Sequence, residues 1–180
     1  MSDGCGILAL DLATRVGWAH GEDYQLPRYG LLDLGAQNSL GRRMSCLARF
    51  IEDFSSVSRP TMIVFEAPIA KMQTSARGLI YLAGVVEMTG DELGIPVREE
   101  LPQTARKLVL GNGAFFARDA GGKVIRDAKG KMTSETKSAV MAWAQSNGWT
   151  PATHDVGDAL LLLRAAHIMR RSRVTAGRAA

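Results

Sequence analysis

Apolar residues fill positions 7–10 and stop at an acid, Asp11. Such a short continuous run predicts a buried strand that ends at a polar edge. Residues 12–19 (LATRVGWA) read as a turn and the opening of a second strand, and Gly30 to Leu34 as a third. Leu40, Met44, Leu47, Ile51 and Phe54 then recur in steps of four and three, one apolar face of a helix. Pro60 interrupts, and Thr61 to Phe65 (TMIVF) predicts a buried strand running into Glu66-Ala67-Pro68. A helix of small and apolar residues is expected from about Thr74 to Leu93, then a short strand beginning at Gly94-Ile95-Pro96-Val97. Another helix follows Pro102, since proline suits a first helical turn. Thr133 is the expected cap of a helix over Ser134 to Ser146, and a last helix runs from Asp155 to about Arg171. Strand signals that form a meander and then alternate with helices describe an α/β domain.

Length and composition narrow the class. At 180 residues and 46% hydrophobic the chain suits one domain with a sizeable core. We place that domain at residues 1–172, with a basic insert at about 113–132 and a basic, flexible tail at 173–180. No internal repeat or Pro/Ser-rich linker is expected to divide it. Apolar runs such as Ala159 to Leu163 are far short of the ~20 residues that span a bilayer. The N-terminus lacks a basic region followed by an apolar stretch, so no signal peptide is expected. Cys5 and Cys46 form neither a metal-ligand spacing nor a disulfide framework, which fits a reducing cytoplasm.

Charge changes the picture once it is divided. Residues 1–90 hold 8 basic and 9 acidic side chains, residues 91–180 hold 14 and 9, and no acid follows Asp158. Arg164, Arg170, Arg171, Arg173 and Arg178 are therefore locally unopposed, as a phosphate-binding surface or as a solvated tail. The insert concentrates Arg118, Lys123, Arg126, Lys129 and Lys131 around Gly121-Gly122, a hairpin turn or mobile loop.

Four carboxylates stand where a purely structural role is hard to assign together. Asp11 and Glu66 each end a buried strand, and Asp155 and Asp158 lie three apart at the start of an apolar helix, on one face. Each has an ordinary alternative: a turn with Thr14 for Asp11, an N-cap for Asp155, a helix-dipole contact for Asp158. Glu66, beside a proline-containing strand end, has none. If the strands are neighbours and the helix packs over their ends, the four converge and repel unless cations neutralise them. Mg²⁺, a hard cation with oxygen ligands, is the natural partner, and a pair of ions suits phosphodiester hydrolysis.

These residues resemble a known family. The segments ILALDLATRVGWA, IVFEAPI, SARGLIYLAGVV and HDVGDALLLL, in this order and spacing, look like the RuvC type of Holliday junction resolvase, from Ile7 to about Leu163. The resemblance implies an RNase H-like α/β fold, a five-stranded mixed sheet flanked by helices. It implies a homodimer that cuts a four-way DNA junction symmetrically, leaving 5′-phosphate and 3′-hydroxyl ends. Asp11, Glu66, Asp155 and Asp158 would be the catalytic residues and the ligands of two Mg²⁺ ions, with Mn²⁺ a substitute. Ile69, Lys71, Arg77, Arg106 and Lys137 would contact DNA. Ser75-Ala76-Arg77-Gly78 resembles the helix start beside the family's dimer interface.

The chain also departs from the cellular members. Ile69 stands where they often carry an aromatic residue, and the insert is longer than their connection. Phe115 and Phe116 either replace the lost stacking surface or pack on the core. His154 is a supporting residue at most. These departures are closer to phage- or prophage-type members. Two other readings stay open: a broader branched-DNA or RNase H-like nuclease, and a catalytically silent junction-binding protein. A third reading, an ATPase half of the sugar-kinase type, would need a glycine-rich hairpin directly after Asp11, where no glycine comes before Gly17, and a second lobe, for which no room is expected.

Overall fold

The structure is a computed structural model that describes residues 6–68 and 73–177, the side chains of 73–76 and 173–177 excepted. Its sheet is built from β1 (Ile7–Asp11), β2 (Arg15–Gly21), β3 (Arg28–Asp33), β4 (Met62–Glu66) and β5 (Val97–Glu100) in the order β3-β2-β1-β4-β5. The first three strands form an antiparallel meander, whereas β4 joins β1 and β5 joins β4 in parallel. The mixed five-stranded sheet is the expected one.

Helices cover both faces, and the period-two alternation of β1 sorts its side chains between them. Leu8 and Leu10 pack with Leu47, Ile51, Leu82 and Val86 from α1 (Leu40–Val57) and α2 (Gln73–Glu92). Ile7 and Ala9 pack with Ala105, Val140, Leu160 and Leu163 from α3 (Pro102–Leu110), α4 (Thr136–Ser146) and α5 (His154–Gly177). A strand buried on both faces must be apolar throughout, which is why β1 and β4 read as runs rather than alternations. Ser39 caps α1 by accepting from the Arg42 amide, and Pro102 opens α3 at its first turn.

Three details differ from the sequence reading. Glu135, not Thr133, takes the N-cap position of α4, because Thr133 is drawn into the preceding segment through bonds with Ala117 and Ile125. The helix α5 continues past Arg171 to Gly177. Its arginines find neutral partners: Arg164 and Arg171 lie over the Tyr24 ring, 3.2 and 5.7 Å from its centroid, and Arg170 donates to the Thr61 hydroxyl. Among the described residues no helix is long and apolar enough to cross a membrane.

Candidate active site

Parallel pairing of β1 with β4 sets the first two carboxylates side by side. Leu10 pairs with Phe65, so Asp11 and Glu66 follow at the same ends of adjacent strands, at a spacing near 4.8 Å. Their carboxyls lie close enough for each to act on the other's ionisation.

The first turn of α5 crosses over this edge. Asp11 pairs with Gly17 of β2, and a Cβ on Gly17 would fall 2.0 Å from the Asp155 carbonyl oxygen. Only glycine allows the helix so close, and this contact brings Asp155 and Asp158 to Asp11. Thr153 caps the helix, its hydroxyl accepting from the Val156 amide at 3.4 Å and its carbonyl from Gly157. The Asp155 carboxylate is thus not needed as the cap. No hydrogen bond joins Asp11 to Thr14 among the described residues.

Burial and mutual repulsion dominate the electrostatics. Burial, reinforced by Glu66, Asp158 and Asp155, pushes the Asp11 carboxyl up to about 9. Glu66 is pushed up to about 7 by burial and by Asp158, against the pull of Arg106. Asp158 is raised by burial, while Arg106 and Lys137 hold it down. Arg106 supplies the local countercharge: its Nη2 lies 3.2 Å from Asp158 Oδ1 and 3.6 Å from Glu66 Oε1. Its Nε is buried without a hydrogen-bond partner. A cleft of about 210 Å³ opens onto Asp11 and Glu66, lined further by Leu12, Ala67, Pro68 and Leu79. A larger concavity of about 660 Å³ lies along α1 at Asn38, Arg42 and Arg49 and contains no carboxylate.

The donor set is made of hard carboxylate oxygens that are short of positive charge, which suits a divalent cation of the Mg²⁺ class. As the side chains lie, no group of three or more His, Cys, Asp and Glu residues among the described ones is placed to hold one ion, and Arg106 occupies the space between Glu66 and Asp158. The chemistry fits the cation, and the side chains lie with Arg106 bridging two of the acids.

The remaining residues named from the sequence fall in different places. Lys137 stands in the first turn of α4, exposed, with its charge acting on Asp158. Arg77 is exposed on α2 and donates to the Tyr81 hydroxyl at 3.2–3.3 Å. His154 is exposed. Ile69 and Lys71 lie outside the described residues. Sequence reasoning missed the role of Gly17, although a glycine opposite a strand-end acid is a visible sign of close approach.

Neither a family model nor a curated protein sequence matches the chain. Solved structures do. Thermus thermophilus RuvC is similar at 18% identity and a TM-score of 0.66, covering 93% of this chain and 96% of that one. The same organism's RuvC in complex with Holliday junction substrate gives 14% identity, a TM-score of 0.70 and the same coverage of 93% and 96%. The yeast mitochondrial Holliday junction resolvase Ydc2 gives 11% identity and a TM-score of 0.51, covering 97% of this chain and 86% of that one. With its mixed sheet, its helices on both faces and its match along nearly the whole chain, this protein has the RNase H-like fold of the RuvC-type resolvases.

Proposed function

We propose that the chain is a divalent-metal-dependent endonuclease that resolves four-way DNA junctions. The observation that carries this reading is the convergence of Asp11, Glu66 and Asp158, with Asp155 beside them, at one sheet edge of a RuvC-type fold. Asp11, Glu66, Asp155 and Asp158 would hold Mg²⁺, or Mn²⁺ in its place. When bound, such ions activate water and offset the charge that builds on a scissile phosphate, yielding 5′-phosphate and 3′-hydroxyl ends. Arg106 carries a buried donor without a partner, Nε, and its guanidinium would suit a phosphate oxygen once a cation has released Glu66 and Asp158.

Two sites are needed to cut a junction symmetrically, and α2 offers a face for pairing two copies. Ile80, Gly84 and Met88 follow at four-residue steps on its exposed side, with Ile80 56% and Met88 53% exposed. The homodimer is part of the proposal. A second reading is favoured by one observation: with Arg106 seated between Glu66 and Asp158, the chain would bind junctions without cutting them.

The deciding experiment is cleavage of an end-labelled four-way junction with Mg²⁺, beside linear duplex, a flap and an RNA–DNA hybrid. Paired symmetric nicks confined to the junction are expected. Cutting of flaps or hybrids as well would broaden the enzyme to a branched-DNA nuclease, and tight binding without cutting would establish the silent binder.

A further inference from the structure

The connection from α3 to α4 contains a repeat. Arg118-Asp119-Ala120-Gly121-Gly122-Lys123 returns eight residues later as Arg126-Asp127-Ala128-Lys129-Gly130-Lys131. This corrects the expectation that the chain has no internal repeat; the unit is only eight residues long and occurs twice, below what a search for domain-scale periodicity detects.

The two copies build the same loop. Asp119 Oδ1 accepts from the amides of Gly121 and Lys123 at 3.0 and 2.9 Å, and Asp127 Oδ1 from those of Lys129 and Lys131 at 2.9 Å each. Arg118 donates to the Gly122 carbonyl at 2.7 Å and Arg126 to that of Gly130 at 2.8 Å. Gly122 and Gly130 take the left-handed conformation, φ 82 and 73°, that closes each turn. Ala117, Ile125 and Thr133, eight apart, then bond in a ring: Ile125 donates to Ala117, Thr133 to Ile125 and Ala117 to Thr133, at 2.8–3.0 Å. The segment is a folded arm, not a slack loop.

This architecture leaves three cations facing outward. Both aspartates and both arginines are engaged within the loops. Lys123, Lys129 and Lys131 are exposed, and their side chains enter no hydrogen bond or ion pair among the described residues. The arm is rooted on the two elements that flank the acidic site, since it leaves α3, which carries Arg106, and enters α4, whose Lys137 acts on Asp158. Its tips hold no aromatic residue, and Phe115 and Phe116 sit half-buried at its root. A cationic surface without stacking rings suits the phosphates of a duplex and not the bases of a single strand.

We propose that the arm is a clamp for the phosphate backbone of duplex DNA, with Lys123, Lys129 and Lys131 gripping the duplex that flanks the acidic site. The proposal rests on the reading of that site as a DNA nuclease, and the test separates the two. Full-length Asp11→Asn protein would be titrated with a four-way junction and with linear duplex between 50 and 200 mM salt, with and without Lys123→Gln, Lys129→Gln and Lys131→Gln together. Each phosphate contact contributes about 0.9 to the slope of log affinity against log salt, so the triple variant should lose about 2–3 of slope and about tenfold or more in affinity on both DNAs. Replacement of the same lysines by arginine should keep the parent's slope, and unchanged melting temperatures would show that all variants fold. Parent-like affinity and slope in the glutamine variant would overturn the clamp, as would a parent that binds neither DNA. If the wild-type chain cuts no substrate but the lysines still govern duplex binding, the nuclease reading fails and the clamp stands. If it cuts junctions and the lysines are irrelevant, the reverse holds.

Discussion

Asp11 concentrates the physics of the site in one side chain. In the folded metal-free protein its carboxyl titrates near 9, against an ordinary 3.8, because burial and three neighbouring acids oppose its charge. The folded state therefore keeps a proton that the unfolded chain gives up between about pH 4 and 9, so stability falls as pH rises across that window. Asp11→Asn removes the penalty: it should raise the melting temperature of the metal-free protein at pH 8, at about 2–4 °C per kcal/mol, and leave it unchanged near pH 3. The same variant should abolish cleavage and keep junction binding. Calorimetry at the two pH values and a cleavage assay check both, and cutting at the wild-type rate would remove Asp11 from the site. Gly17 makes the complementary case. A methyl group there meets the Asp155 carbonyl at 2.0 Å and must push α5 away from β2. Gly17→Ala should cost about 100-fold or more in cleavage, as expected for carboxylates displaced by about 1 Å, while junction binding stays near normal. Cleavage within a factor of a few of wild type would show that the helix start tolerates the shift.

Among the elements, α5 matters most because it joins the core to the site. Its middle, Ala159 to Leu163, is buried against the sheet and α3, while its first two turns carry Asp155 and Asp158. Thr153 caps the first turn, so the cap and the chemistry belong to different residues. Thr153→Ala should lower stability by about 1 kcal/mol, and Asp155→Asn should not incur that cost. Thermal unfolding of the two variants side by side tests this division, and equal losses would return the capping role to Asp155. The sequence pattern made α5 legible through its apolar run, but aspartate is as common at helix starts as in metal sites. The Thr153 cap and the close approach at Gly17 separate the two uses.

For the molecule as a whole, the proposed homodimer is tested on the exposed face of α2, because a junction resolvase must cut two strands and the described residues bring together one acidic cluster. Ile80→Asp combined with Met88→Asp, both on the exposed side of α2, should yield a folded monomer by analytical ultracentrifugation. Its nicks on a junction should lose their pairing, with single nicks accumulating in place of resolved duplexes. A variant that stays dimeric would place the interface elsewhere.

What the sequence determined was largely local. Continuous apolar runs in β1 and β4, steps of three and four in α1, and the proline opening α3 all follow from periods and propensities that one segment carries by itself. The four acids stood out for the same reason, as charges at the ends of buried segments. Tertiary structure decided what each acid meets. Parallel pairing of β1 with β4 placed Asp11 beside Glu66, the missing side chain at Gly17 let α5 close over them, and Arg106, 52 residues from Asp158, arrived as their countercharge. None of these contacts has a signature within one window of sequence, because each depends on the register and packing of elements far apart in the chain. The arm lies between the two cases: its repeat is written in the residues, but the ring through Ala117, Ile125 and Thr133 that makes it a folded unit exists only once the two loops have closed.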